Sequence, residues 1–175
     1  MAAWLIRVSR HDERVLHALL LRRRGWLDVT MRASTHLGDA MTTVFAAVLL
    51  LLAGPPGIGG RAAATLAGSH LLVQVLKRSV ARPRPRLPVG IDSLIHAPDR
   101  FSFPSGHAAA ALSIALPLAA LAPIPVAGAI LALALVVGLS RCYLGVHYPG
   151  DVAMGWLLAL VTYAGISWLP GAGLG

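Results

Sequence analysis

The chain has 175 residues, and 57% of them are hydrophobic while 13% are charged; the mean hydropathy is +0.72. A soluble globular chain is about half apolar and a quarter charged, so this composition excludes an ordinary soluble domain and places the chain among membrane proteins. The net charge of +8 comes almost wholly from arginine, and with no basic surface interleaved with aromatics it points to anionic headgroups and phosphorylated substrates rather than to nucleic acid.

The first residues, MAAWLIRVSRHDER, lack an apolar run long enough for a cleavable signal peptide. Residues 12–24 predict a short amphipathic helix lying in the membrane interface, with a packed helix on the soluble side as the alternative. Leu16, Leu19 and Leu20 share its apolar face, and Arg22, Arg23 and Arg24 close its C-terminal end. Five apolar segments follow: Leu37–Gly54, Ile58–Lys77, Ser105–Leu121, Ile124–Leu139 and Val152–Leu169. Each is near the lower limit of about 17–25 residues for crossing a bilayer. Pro55–Gly57 separates the first two, and Ala122–Pro125 separates the third from the fourth. The expected fold is all-α: an integral membrane bundle of about five transmembrane helices plus the N-terminal interfacial helix. It forms one domain over 1–175, with 1–36 interfacial and 37–169 the bundle. The polar stretch Arg78–Phe103, with Pro83, Pro85, Pro88 and Gly90, reads as an ordered loop.

Three short segments carry chemistry. KRSVARPRP (Lys77–Pro85) follows the second apolar segment, PSGH (Pro104–His107) opens the third, and SRCYLGVHYPGD (Ser140–Asp151) joins the fourth to the fifth. If all five segments cross, these places share one side of the membrane. Lys77, Arg84 and Arg141 are candidate phosphate clamps, because guanidinium forks bind phosphoryl oxygens bidentately and lysine adds a point charge. Arg78, Arg82 and Arg86 read instead as cations that reach lipid headgroups. Ser105 suits a helix N-cap, Gly106 admits close backbone approach, and the free N–H groups of that first turn attract anions. An ordinary capped helix start explains as much, but His107 in the same turn stands where a bound phosphate would be. His147 and Asp151 are four apart around Pro149–Gly150. Asp151 can accept from one ring nitrogen and leave the other as a neutral nucleophile; a purely structural pair remains the alternative. Of the seven acidic residues only Asp151 lies in these segments, which is too few for a two-metal site, so no metal and no cofactor are expected.

His70, Gln74 and Lys77 fall on one helical face and are expected either to line the wall below the site or to hydrogen-bond between helices. Cys142, His11, His17, His36 and His96 carry no expected role, and Trp4, Trp26, Trp156 and Trp168 read as interfacial or packing aromatics.

The three segments resemble the signature of the type 2 phosphatidic acid phosphatase superfamily, K-x6-RP, PSGH and SR-x5-H-x3-D, with every motif position matched. The resemblance implies a metal-independent hydrolase. In it His147 attacks phosphorus to form a phosphohistidine, Asp151 orients His147, and His107 protonates the leaving oxygen. Lys77, Arg84, Arg141, Ser105 and the Gly106 N–H hold the equatorial oxygens. A bell-shaped pH profile follows from a neutral His147 and a protonated His107. The resemblance suggests four substrates: polyprenyl diphosphates, phosphatidic acid, phosphatidylglycerol phosphate and prenyl-linked sugar phosphates. The first two types are the expected ones, since the small size and five spans resemble bacterial members acting on undecaprenyl-type diphosphates. A cytoplasmic site would instead favour a polyprenyl-phosphoryl pentose phosphate. Its soluble haloperoxidase branch is at odds with the hydropathy. The rival of another class is a lipid-phosphate binding or transport protein, which needs the cations but not the histidines. Fourteen of the fifteen Lys and Arg residues fall on the motif side and only Arg61 on the other, so charge asymmetry predicts a cytoplasmic active site in a bacterial cell membrane. Many bacterial relatives work on the outer face, against this expectation. A monomer and a dimer both stay open.

Overall fold

A computed structural model describes residues 3–97 and 99–168, with side chains from residue 10 onward. The expected interfacial or packing role of Trp4, and the end of the fifth segment at Leu169, therefore lie outside what is described. Among the described residues there are seven α-helices and no β-strand: α1 (Ala3–Leu20), α2 (Gly25–Thr35), α3 (Ala40–Ala53), α4 (Ile58–Val80), α5 (Gly106–Leu121), α6 (Ile124–Tyr143) and α7 (Pro149–Ser167). A 3-10 turn, His36–Gly38, links α2 to α3. Helices α3 to α7 correspond to the five apolar segments. By length and composition α6 and α7 can each cross a membrane, and α2 with α3 is a third candidate, bent by 52° at the break between them.

Sequence cues explain where these helices begin and end. Gly57 (φ 79°) turns the chain into α4. Ser105 caps α5, its hydroxyl accepting from Ala108 N–H at 3.5 Å. Pro125 and Pro149 stand in the first turns of α6 and α7, where a missing N–H costs nothing. The bundle centres on α5, whose buried alanines let α4, α6 and α7 approach. Ser69 of α4 and Ser113 of α5 share a buried hydrogen bond of 2.9 Å. Gly138 of α6 packs on the Trp156 ring of α7, where a Cβ would come within 2.5 Å. Gly155 of α7 lies so close to Ser105 O that no side chain fits between them, which fixes the start of α5 against α7.

The N-terminal region differs from the single helix predicted over 12–24. It contains two helices, and Arg22–Arg24 lie in the connection rather than in a last helical turn. The predicted apolar face of α1 is packed on protein: Leu16 and Leu20 are buried with Ala108, Cys142, Tyr148 and Val152. Helix α2 was not foreseen, because its mixed sequence GWLDVTMRAST has no clean apolar stripe. The loop predicted from Arg78 starts later, because α4 runs to Val80. It is pinned by Ser102 N–H to Arg82 O (2.8 Å) and Leu94 N–H to Leu144 O (3.0 Å).

The predicted face of His70, Gln74 and Lys77 does not line the inside. His70 is exposed and, among the described residues, is bonded only to Gln74 of its own helix (3.2 Å). The inward stripe of α4 is Ala62, Thr65, Ser69 and Val73, and it leads to Lys77 by the same four-residue step.

Candidate active site

The three motif segments meet at one end of the bundle. Lys77, on the last turn of α4, is buried and its Nζ bonds Asp99 Oδ2. Arg84 of the loop reaches the other oxygen of the same carboxylate, Nη2 to Oδ1 at 2.6 Å. One acidic side chain thus lies across both candidate clamps. Two paired cations hold Asp99 below the ordinary carboxylate range although its burial acts the other way. Arg84 also donates through Nη1 to His147 Nε2 at 2.9 Å and to Val146 O at 2.7 Å. Because a guanidinium can only donate, Nε2 accepts, and the imidazole is neutral with its proton on Nδ1.

His147 is placed by a tight reversal after α6. Gly145 adopts φ 83°, a conformation that favours glycine, and the N–H groups of Val146 and His147 both return to Arg141 O at 3.1 and 3.2 Å. Asp151, fully buried, sits at the third position of α7 and reaches back to the N–H of Tyr148 at 2.9 Å. Its Oδ2 is 3.6 Å from His147 Nδ1, so the expected partner faces the expected nitrogen but stands beyond hydrogen-bond length. His147 Nδ1 is buried without a hydrogen bond. Burial pushes the His147 pKa down to about 4; Asp151 opposes that shift, and the nearby Arg84 and Arg141 add to it.

Arg141 is almost wholly buried. Its Nη1 donates to Thr35 Oγ1 at 2.6 Å, and its Nε has no partner among the described residues. Ser105 is buried, and its N–H donates to Asp151 O at 2.9 Å, which joins the PSGH segment to the third motif. A Cβ at Gly106 would meet only Val73, at 3.8 Å, so nothing in the protein itself demands glycine there. His107, the second residue of α5, bonds Asp39 through Nε2 at 2.7 Å.

Arg82 corrects its predicted role as a headgroup contact. Nη1 bonds Asp151 Oδ1 at 2.6 Å, Nη2 bonds Asp12 Oδ2 at 2.9 Å, and the guanidinium lies 4.0 Å over the Tyr148 ring. Asp12 in turn accepts from Gly150 N–H at 2.9 Å, which ties α1 to the start of α7. Four participants were thus missed: Asp12, Thr35, Asp39 and Asp99. All four lie outside the motif segments, and only HxxD spacing (His36 to Asp39) offered a local signal.

Below this end an apolar cleft of about 250 Å³ opens between α3, α5 and α6. It is lined by Leu37, Ala111, Ala115, Ala134 and Val137, among others.

Residues 59–172 match the model of the PAP2 superfamily. The chain is 32% identical over 174 residues to phosphatidylglycerophosphatase B of Bacillus subtilis (strain 168), covering 89% of this chain and 81% of that one. It is 33% identical over 157 residues to decaprenylphosphoryl-5-phosphoribose phosphatase of Mycobacterium tuberculosis (strain CDC 1551 / Oshkosh), covering 85% and 83%. The fold is similar to the crystal structure of Aquifex aeolicus LpxE, with a TM-score of 0.78 and 25% identity over 86% of this chain and 91% of that one. It is also similar to the transmembrane PAP2 type phosphatidylglycerolphosphate phosphatase from Bacillus subtilis, with a TM-score of 0.71 and 28% identity over 94% and 88%. Composition, helical architecture, three intact motifs and these relatives agree: the chain belongs to the PAP2 superfamily and is a membrane lipid phosphatase, a hydrolase of phosphoric ester bonds.

Proposed function

We propose that the chain hydrolyses a phosphomonoester carried on the headgroup of a lipid, with His147 as nucleophile. The observation that carries this reading is the Asp99 carboxylate shared by Lys77 and Arg84 while Arg84 also holds His147 Nε2. A phosphoryl group that takes the two oxygen positions of Asp99 stands beside Nε2, whose lone pair is freed for attack when Arg84 Nη1 turns from it to a phosphoryl oxygen. Arg141, with a buried unpaired Nε, and the first N–H groups of α5 supply further donors for the equatorial oxygens. In this reading Asp151 steadies His147, Arg82 steadies Asp151, and His107 passes a proton to the leaving oxygen. Transfer to nitrogen and then to water needs no metal. The apolar cleft gives an acyl or prenyl chain a place beside α5. The binding-or-transport alternative does not use the neutral, buried His147 beside Asp151.

The two relatives bear on the substrate. Their names describe a phosphate on glycerol and a phosphate on ribose, each attached to a lipid through a further phosphoryl link. We therefore favour phosphatidylglycerol phosphate and a polyprenyl-phosphoryl pentose phosphate over a polyprenyl diphosphate or phosphatidic acid. The detergent-purified protein is expected to release phosphate in EDTA, fastest from one of the first two lipids, and His147→Ala is expected to release none. Activity abolished by EDTA, or a strong preference for a diphosphate, would overturn this reading.

The chain is proposed to act as a single domain in a bacterial cell membrane, with residues 1–36 at the interface, 37–169 as the bundle and the active site on the cytoplasmic side. The arginine asymmetry supports that side. A reporter fused to the C-terminus is then expected to be active only outside the cytoplasm; activity only inside it would reverse the orientation.

A further inference from the structure

His107 makes one side-chain hydrogen bond among the described residues: its Nε2 lies 2.7 Å from Asp39 Oδ1. Asp39 is 68 positions earlier, in the break between the 3-10 turn and α3. Its second oxygen, Oδ2, lies 2.7 Å from His36 Nδ1, so the carboxylate is held from both sides. The same short turn follows Thr35, whose hydroxyl meets Arg141 at 2.6 Å. Gly38 lets the turn close on the site. A Cβ there would lie 2.9 Å from His107 O, 3.1 Å from His107 Cβ and 2.7 Å from Val137 Cγ1. The turn is therefore seated against the backbone of His107 and hydrogen-bonded to two motif side chains, although no motif includes it.

The direction of the His107–Asp39 bond has a chemical consequence. A carboxylate only accepts, so Nε2 carries the hydrogen, and Nδ1 is the nitrogen left to exchange a proton. We propose that Asp39 is the positioning residue for His107, holding the ring through Nε2 and presenting Nδ1 to the leaving oxygen of the substrate. This rests on the reading of His107 as the proton donor. In the first step the bond from His147 Nε2 to phosphorus forms as the bond from phosphorus to the leaving oxygen breaks. The proton on His107 Nδ1 passes to that oxygen. In the second step water attacks phosphorus and gives its proton to Nδ1, and the bond to His147 breaks with the electron pair returning to Nε2. Asp39 stays ionised throughout and stabilises the imidazolium that precedes the first step and follows the second. It is the counterpart for His107 of what Asp151 is for His147, but on an unrelated part of the chain.

The test compares two esters on the full-length protein in detergent. Dioctanoyl phosphatidylglycerol phosphate expels an alkoxide that needs a proton; p-nitrophenyl phosphate expels a phenolate that does not. Asp39→Asn, which keeps size and shape, is expected to lower kcat on phosphatidylglycerol phosphate by about 30-fold, within the span of general acid catalysis. That loss is expected to exceed the loss on p-nitrophenyl phosphate by at least about tenfold. In a His107→Ala background the same substitution is expected to cost less than about twofold, because the two residues act as one unit. Equal losses on both esters, or additive losses in the double variant, would make Asp39 merely structural and overturn the proposal. Two failures remain separable. If His107→Ala itself treats both esters alike, the assignment of His107 as the acid falls. If His107→Ala discriminates between them and Asp39→Asn behaves as the wild type, Asp39 alone is wrong.

Discussion

His147→Ala is expected to lower lipid phosphate release by about 10³-fold or more, with little change in folding. Removing the attacking group of a unit that acts together costs nearly all the chemistry, leaving what the phosphate-binding donors supply alone. The fold is expected to survive with some loss of stability, because the buried ring leaves a cavity and Arg84 Nη1 loses Nε2 but keeps Val146 O. Rapid quench with ³²P-labelled lipid should trap an acid-labile, base-stable phosphoenzyme in the wild type and none in His147→Ala. A variant that still turns over at a tenth of the wild-type rate would exclude His147 as nucleophile. The pH profile belongs to the same test. With the pKa of His147 pushed down to about 4, the nucleophile stays neutral through the whole physiological range. The acid limb of kcat/KM is then expected near pH 4 rather than near 6.5. The folded protein takes up this proton later than the unfolded chain, whose imidazole titrates at about 6.5. This contribution to stability is present above pH 6.5 and is lost as pH falls toward 4.

Arg82→Leu is expected to be the most destabilising single change in the long loop. It removes both bonds of the fork and leaves Asp151, which has no exposure, with a buried charge held only by the Tyr148 N–H and a distant imidazole. Breaking a buried pair from one side costs about 3–5 kcal/mol. For a chain of this length that corresponds to a fall in Tm of roughly 10 °C. Activity is expected to fall with it, because Asp151 then competes poorly for its place beside His147. Arg82→Lys keeps the charge but cannot reach Asp151 and Asp12 together, and should lie between. Arg86→Leu, at a neighbouring loop arginine, is the control and should shift Tm by less than about 1 °C. Equal Tm values for the Arg82 and Arg86 variants in detergent would return Arg82 to the headgroup role first read for it.

The pattern of success follows from how information is carried along a chain. Apolar runs broken by Pro55–Gly57 and Ala122–Pro125 set α3 to α7, because each break stops a helix by its own covalent nature. The motif residues were legible because their spacing is local. Asp12, Thr35, Asp39 and Asp99 were not, since each meets its motif partners across 15 to 138 positions and lies in no motif segment. Arg82 was misread for the same reason: beside a membrane an arginine at the end of a span has a ready headgroup explanation, and only the fold shows two carboxylates waiting for it. His70 fell to a finer ambiguity. Two stripes of α4 converge on Lys77, and the small residues of the other one, Ala62 to Val73, suit a close helix contact better.

Asp99 has a consequence for the traffic of anions through the enzyme. Lys77, Arg82, Arg84 and Arg141 stand among Asp12, Asp39, Asp99 and Asp151, so these eight side chains sum to no net charge when all are ionised. A phosphate that claims Lys77 and Arg84 must trade places with a carboxylate already bonded to both. On the proposed reading, binding is an ion exchange, a dianion for a monoanion, and part of the attraction is spent on the swap. The same trade runs backward after hydrolysis. Asp99 is held in place by Phe101, whose N–H donates to its Oδ1 and which makes an isolated β-bridge with Pro83 beside Arg84, so on the proposed reading it is positioned to reclaim the two cations as inorganic phosphate departs.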